Sequence, residues 1–173
     1  MPVLVSLTDD EVAEAKRLAD ATYALFKSRP GYYPNTPGSH LKGKLGEVAV
    51  AKWATALGFV VRPLFRDISL TNKEDVVIGN VRVEVKTWDH TTWTDMGRCV
   101  TPGQLRGLRR KADAIIWCSV DGSDVTLHGW STVEEVGVQP VTMTGPEYRL
   151  IPNHQVPAGL MRPLEDLLAL ATR

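Results

Sequence analysis

The segment Asp75-Val76-Val77-Ile78-Gly79-Asn80-Val81-Arg82-Val83-Glu84-Val85-Lys86 constrains this chain more than any other. Gly-Asn between two β-branched runs is a two-residue hairpin signal, with Gly first as a type II′ turn requires. That turn fixes a register: Ile78 opposite Val81, Val77 opposite Arg82, Val76 opposite Val83, and Asp75 opposite Glu84. Directly opposed residues share a face, with Cβ atoms about 4.5–5.5 Å apart. The period of two adds Lys86 to the face of Glu84. Val76, Ile78, Val81, Val83 and Val85 then form an apolar face that needs a core. The opposite face gathers two carboxylates and an ammonium.

Carboxylates held side by side repel, and one of them would normally have a raised pKa. A divalent cation removes that penalty. Mg²⁺ takes hard oxygen ligands, usually one or two carboxylates plus waters and phosphate oxygens. A nearby ammonium orients a water or stabilises charge on a phosphate. The constellation suits metal-assisted hydrolysis of a phosphodiester. The alternative is an exposed hairpin face with a cross-strand Glu–Lys ion pair, and these residues alone leave both open.

The 173 residues suffice for one domain with a substantial core. The 43% hydrophobic and 23% charged composition is that of an ordinary soluble protein. No apolar run approaches the roughly 18 residues of a membrane span. The start, Met1-Pro2-Val3-Leu4-Val5, lacks the features of a signal peptide. Cys99 and Cys118 show neither metal spacing nor a disulfide framework. A cytoplasmic protein without a membrane partner is expected. Net charge is zero, but its distribution is uneven. Arg98, Arg106, Arg109, Arg110 and Lys111 share a stretch without an acid, and Lys42, Lys44, Lys52 and Arg62 outnumber Glu47 between residues 40 and 62. Residues 120–147 carry acids and no Lys or Arg. Each such run is most simply a solvated face.

Along the chain, Thr8-Asp9-Asp10-Glu11 reads as a capping box opening a helix to about Phe26. Residues 28–40 read as a loop, in which Tyr32 and Tyr33 either stack on bases or pack the loop down. A helix from about Leu41 to Leu57 carries an apolar stripe, and Gly58 closes it. Glu47 lies off that stripe beside Gly43, where a small neighbour lets another backbone approach and presses the carboxylate against the sheet. Residues 59–65 read as a strand, followed by the hairpin to Trp88. Thr101-Pro102-Gly103-Gln104 opens a short helix. The apolar run Ala114–Val120 is a buried strand, and Cys118 within it acts as a small hydrophobe. Val125–Trp130 is another strand, 131–136 a helical turn, 140–160 irregular, and Leu160–Ala171 a terminal helix. The order predicts an α/β fold with one central mixed sheet flanked by helices.

A helix Glu, an Asp on a strand, Glu-x-Lys on the next strand, then helix and strand together resemble the PD-(D/E)XK nuclease superfamily. Lys42-Gly43-Lys44-Leu45-Gly46-Glu47 looks like its first-helix motif, and Asp75, Glu84 and Lys86 fit the motif proper. Gln104 stands where several subfamilies carry a glutamine. The resemblance covers residues 41–120, and the small prokaryotic, phage and Holliday-junction-resolvase-like members are the nearest in style. Asp75 follows Glu74 rather than proline, and the eight residues between Asp75 and Glu84 are a short interval.

The resemblance implies a restriction-endonuclease-like αβββαβ core at 41–120. A helix at 8–27 precedes it and an extension at 121–173 follows, all in one domain. It implies that Asp75, Glu84 and the Val85 carbonyl bind Mg²⁺ or Mn²⁺, with Glu47 at a second metal or a metal-bound water, or orienting Lys86. Lys86 would position or activate the attacking water, and Gln104 would touch the phosphate or that water. For Gln104 a plain solvent-facing place in the first helical turn stays open. Lys42, Lys44, Arg98, Arg106, Arg109 and Arg110 are candidates for phosphate-backbone contact. Trp88, Trp93 and residues 89–98 follow the catalytic strand and would reach into DNA, or Trp88 would cap the sheet edge. His40, His90 and His128 are open as acid–base groups or DNA contacts, though lone histidines are usually structural or solvated.

The expected activity is a divalent-metal-dependent deoxyribonuclease, an endonuclease in DNA processing, restriction or recombination. Two-strand cutting would suit a homodimer. The alternative is a non-catalytic nucleic-acid-binding or assembly module of the same fold.

Overall fold

The computed structural model describes residues 1–28, 35–69, 73–145 and 149–171; Tyr32 and Tyr33 lie outside them. The chain order is β1 (Val3–Ser6), α1 (Asp9–Phe26), α2 (Pro37–Ala56), β2 (Val61–Arg62), β3 (Val76–Ile78), β4 (Val81–Asp89), α3 (Trp93–Met96), β5 (Cys99–Val100), α4 (Pro102–Lys111), β6 (Ala114–Asp121), β7 (Asp124–Thr132), α5 (Val133–Gly137), β8 (Val141–Thr144), β9 (Ile151–Gln155) and α6 (Leu164–Leu170). Gly79 has φ +58° while Asn80 stays out of the left-handed region, as a type II′ turn demands. The expected pairs Ile78–Val81, Val77–Arg82 and Val76–Val83 follow.

Six strands form one mixed sheet in the order β1-β7-β6-β4-β3-β2. β2, β3 and β4 make an antiparallel meander. The chain then crosses through α4 and returns as β6, parallel to β4. β6 is buried from Ala114 to Val120, and apolar there except for Ser119, because both its faces are covered. Its Ala114, Ile116, Cys118 and Val120 enter one core, and Ile115 and Trp117 enter another. Residues of α1, α2 and α6 complete the first core, and residues of α4 and α5 the second. Helices thus flank both faces of the sheet. Among the described residues no helix is long and apolar enough to cross a membrane.

Several elements depart from the sequence expectation. α2 starts at Pro37, with Thr36 capping it through Ser39, so part of the expected loop is helix. Pro at the first helical position lacks only an N–H that the helix would leave unpaired. The strand expected over 59–65 shrinks to Val61–Arg62, because Pro63 cannot donate to a ladder and a 3₁₀ turn follows at Leu64–Arg66. β1 pairs with β7 as an edge strand. The stretch expected to be irregular supplies β8 and β9, which form a three-stranded sheet with β5. Pro152 is tolerated within β9 because β5 reaches only His154 and Gln155. The terminal helix is confined to Leu164–Leu170, after a 3₁₀ turn at Ala158–Leu160.

Candidate functional site

The β3–β4 ladder ends at Val76–Val83, but β4 runs on to Asp89. Residues 84–89 of β4 therefore pair with β6 on one side, and no strand among the described residues flanks them on the other. That open edge is the floor of a cleft of about 580 Å³. Glu47, Asp75, Glu84, Lys86, Lys42 and Gln104 all line it.

Asp75 lies one residue outside β3. Its N–H donates to the Val83 carbonyl at 3.1 Å, and its carboxylate Oδ2 accepts from the Val85 N–H at 2.8 Å. The hairpin keeps the expected register as far as Val76–Val83, but the expected Asp75–Glu84 pair is not part of the ladder: the Asp75 N–H goes to Val83 instead, and the carboxylate turns back onto the β4 backbone. Burial, together with the charge of Glu84, pushes the Asp75 carboxyl up to about 6.

Glu47 reaches the cleft from α2. This helix is buried all round from Leu45 to Ala51, so a carboxylate there needs a partner. Lys44 supplies one, with Nζ 2.6 Å from Oε2. The pair does not fully compensate burial and the charge of Asp75, which raise the Glu47 carboxyl to about 8. Gly46 explains why α2 comes so close: a Cβ there would lie 1.9 Å from Thr87 Oγ1 on β4. Thr87 Oγ1 is itself buried without a hydrogen-bond partner.

Glu84 is the best-compensated acid. Lys86 Nζ donates to Oε1 at 2.6 Å, and Lys111 Nζ lies 2.7 Å from Oε2, close in charge but off the hydrogen-bonding direction. Burial raises the pKa of Glu84, but Lys86 and Lys111 outweigh it and hold the carboxyl below its ordinary value. Burial likewise opposes the charge on Lys86, yet Glu84, Asp75 and Glu47 keep its pKa above the ordinary value.

The other expected contacts divide. Lys42 lines the cleft at the start of α2, whereas Lys44 is paired with Glu47 rather than free for phosphate. Gln104 lines the cleft too, with its oxygen accepting from Thr101 N at 3.1 Å to cap α4. Arg106, Arg109 and Arg110 are exposed on α4. Arg98 is not a phosphate contact: it is buried, and it donates to the carbonyls of Val156, Trp93 and Thr94. A guanidinium out of water needs such acceptors. Trp88 and Trp93 are partly buried against the second core, Trp88 beside Trp117, and Trp88 also lines the cleft. His128 stacks on Trp93 at 3.9 Å and bonds Ser119, and His40 bonds Asn35. His90 is exposed near Asp89 and Asp121.

Sequence reasoning misses Lys111 and Thr87. In the sequence Lys111 is only the end of a basic run, and its link to Glu84 depends on where α4 ends. Thr87 follows the Glu-x-Lys triplet, but only the close approach of Gly46 gives it a role.

Among the described residues no three His, Cys, Asp or Glu side chains are gathered so as to hold a metal by themselves. The chemistry of the donors nevertheless suits a hard cation: Asp75 and Glu84 offer only oxygen, and burial raises two of the four acids that line the cleft, Glu47 and Asp75. Comparison with protein-family models, curated proteins and solved structures gives no match to this chain.

Proposed function

We propose that the chain is a divalent-metal-dependent deoxyribonuclease of the restriction-endonuclease-like, PD-(D/E)XK type. The observation that carries this reading is the convergence of Glu47, Asp75, Glu84 and Lys86 on one cleft at the open edge of β4. The connectivity supports it: α2 bearing Glu47, the β2–β3–β4 meander, the α4 crossover and β6 parallel to β4.

Asp75 and Glu84, with the Val85 carbonyl, would hold Mg²⁺ or Mn²⁺, and Glu47 would hold a second ion or its water. When bound, the metal would supply Lewis acidity at the phosphate and a more acidic water. Lys86 has three donors, of which Glu84 Oε1 uses one. The others can orient the attacking water and meet charge on a non-bridging phosphate oxygen. Gln104 faces the same cleft for the phosphate. Lys42, Arg106, Arg109 and Arg110 would track the strand on either side.

One observation favours a second reading, a non-catalytic nucleic-acid-binding or assembly module. Lys44 pairs with Glu47, and Lys86 and Lys111 with Glu84, as in a structural ion network.

Cleavage of a labelled DNA panel separates the two: single strand, duplex, nicked duplex, flap and four-way junction, with Mg²⁺, Mn²⁺ or EDTA. Metal-dependent cutting that falls at least about 10³-fold in Asp75→Ala and Lys86→Ala, with unchanged circular dichroism, is expected. No cutting, or cutting retained by either variant, removes the mechanism and leaves the module.

A further inference from the structure

We propose that Lys111 is a positioning residue that clamps the two acid-bearing segments of the cleft together. The inference deepens the nuclease reading and rests on it only for the consequence on cleavage.

Asp75 and Glu84 come from different kinds of backbone. Glu84 lies inside β4, fixed by its ladder to β6. Asp75 lies outside β3, and neither Lys73 nor Glu74 before it belongs to a strand, so its place must be set by other bonds. Three of these are its own: its N–H to Val83 O, its carbonyl from the Phe65 N–H at 2.9 Å, and its carboxylate from the Val85 N–H. A further tie on the same segment is made by Lys111. Its ammonium donates to the Lys73 carbonyl at 2.8 Å, two residues before Asp75, and lies 2.7 Å from Glu84 Oε2. One nitrogen thus spans both segments. Among the described residues Glu84 Oε2 is buried without a hydrogen bond, and the Lys111 ammonium supplies positive charge beside it while Lys86 holds Oε1.

The clamp has a rigid base. Lys111 is the last residue of α4, whose first turn is capped by Thr101 and whose Leu105 and Leu108 are buried in the second core. The Lys73 ammonium continues the tie, donating to the Leu64 and Asp67 carbonyls, so the 3₁₀ turn at Leu64–Arg66 and the residues before Asp75 are tied to the same point. A compact ammonium suits one acceptor and one neighbouring charge in different directions, whereas a planar guanidinium fits less well.

The test uses the full chain with Lys111→Met, which keeps the apolar stem and removes the donors, and Lys111→Arg. Amide hydrogen exchange is read at Asp75 and Val85, and at Ile116 and Cys118 of β6 as the internal reference. In Lys111→Met, protection at Asp75 and Val85 should fall about tenfold or more while β6 keeps its protection. Lys111→Arg should restore part of it. In cleavage, kcat should fall by about 10- to 10²-fold with KM for DNA unchanged, as misplacement rather than lost binding requires. Unchanged exchange at both amides, or an equal loss across β6, overturns the clamp. The expected exchange pattern in a protein that cuts no DNA leaves the clamp standing and removes the nuclease reading instead.

Discussion

Two polar clusters flank the C-terminal half of β4, and they handle burial in opposite ways. Beside Trp93, Arg98 and His128 both find partners. Arg98 donates to three backbone carbonyls and lies 5.0 Å over the Trp93 ring. His128 stacks on the same ring and bonds Ser119 at 2.8 Å. Burial, with the charge of Arg98 nearby, pushes His128 down to about 4, so it is neutral at physiological pH. In the cleft, by contrast, Glu47 and Asp75 keep raised pKa values despite their lysine and backbone partners. Ionised groups out of water are costly unless fully paired. A cluster that retains such a cost, and opens onto a cleft, is where binding or chemistry is to be sought.

The largest break in this comparison should come from pH. Glu47 is raised from 4.5 to about 8 and Asp75 from 3.8 to about 6. Between those limits the folded protein binds protons that the unfolded chain has released. Stability without added metal therefore falls as pH rises through that window, in total on the order of a few kcal/mol. Glu84, held below its ordinary value, gives the opposite slope only in the acid range: its contribution is lost as pH falls through its folded pKa. Melting curves in EDTA near pH 5 and pH 8 check this; Glu47→Gln should flatten the slope, and a Tm that rises toward pH 8 in the native sequence sinks the idea.

Trp93→Ala attacks the other cluster. Loss of the ring from Arg98 and His128 should cost about 3 kcal/mol in denaturant unfolding. The metal dependence of cleavage should stay as it was, and a changed dependence would show that the clusters are not separate. Gly46→Ala tests the seam between α2 and β4. Its Cβ meets Thr87 Oγ1, and the forced shift should cost about 1–3 kcal/mol. Adding Thr87→Ala should recover most of it, a non-additivity that a double-mutant cycle reads directly. The smallest effects belong to the exposed Arg106, Arg109 and Arg110. Alanine at each should lower the slope of log binding constant against log salt by about one, without touching kcat; unaltered slopes would remove α4 from the DNA path.

Local chemistry makes the hairpin, the caps of α1 and α4 and the doubly buried β6 legible in the sequence. Gly79, Thr8, Thr101 and the run from Ala114 each act through their immediate neighbours. β8 and β9 are not legible there, because Pro140 and Pro152 read as breakers and only the short reach of β5 makes Pro152 acceptable. Arg98 misleads for a related reason: its charge suggests solvent, while three carbonyl acceptors, one of them from the distant Val156, hold it inside.

The sequence by itself determined that Asp75, Glu84 and Lys86 belong to one hairpin, since a two-residue turn admits one register. Only the tertiary structure decided how those charges are compensated. Lys111 arrives from the far end of α4 and Glu47 from a helix that Gly46 lets down onto Thr87. Short-range geometry follows from adjacent residues, but the partner of a buried charge is whichever group the packing of separate elements brings within reach.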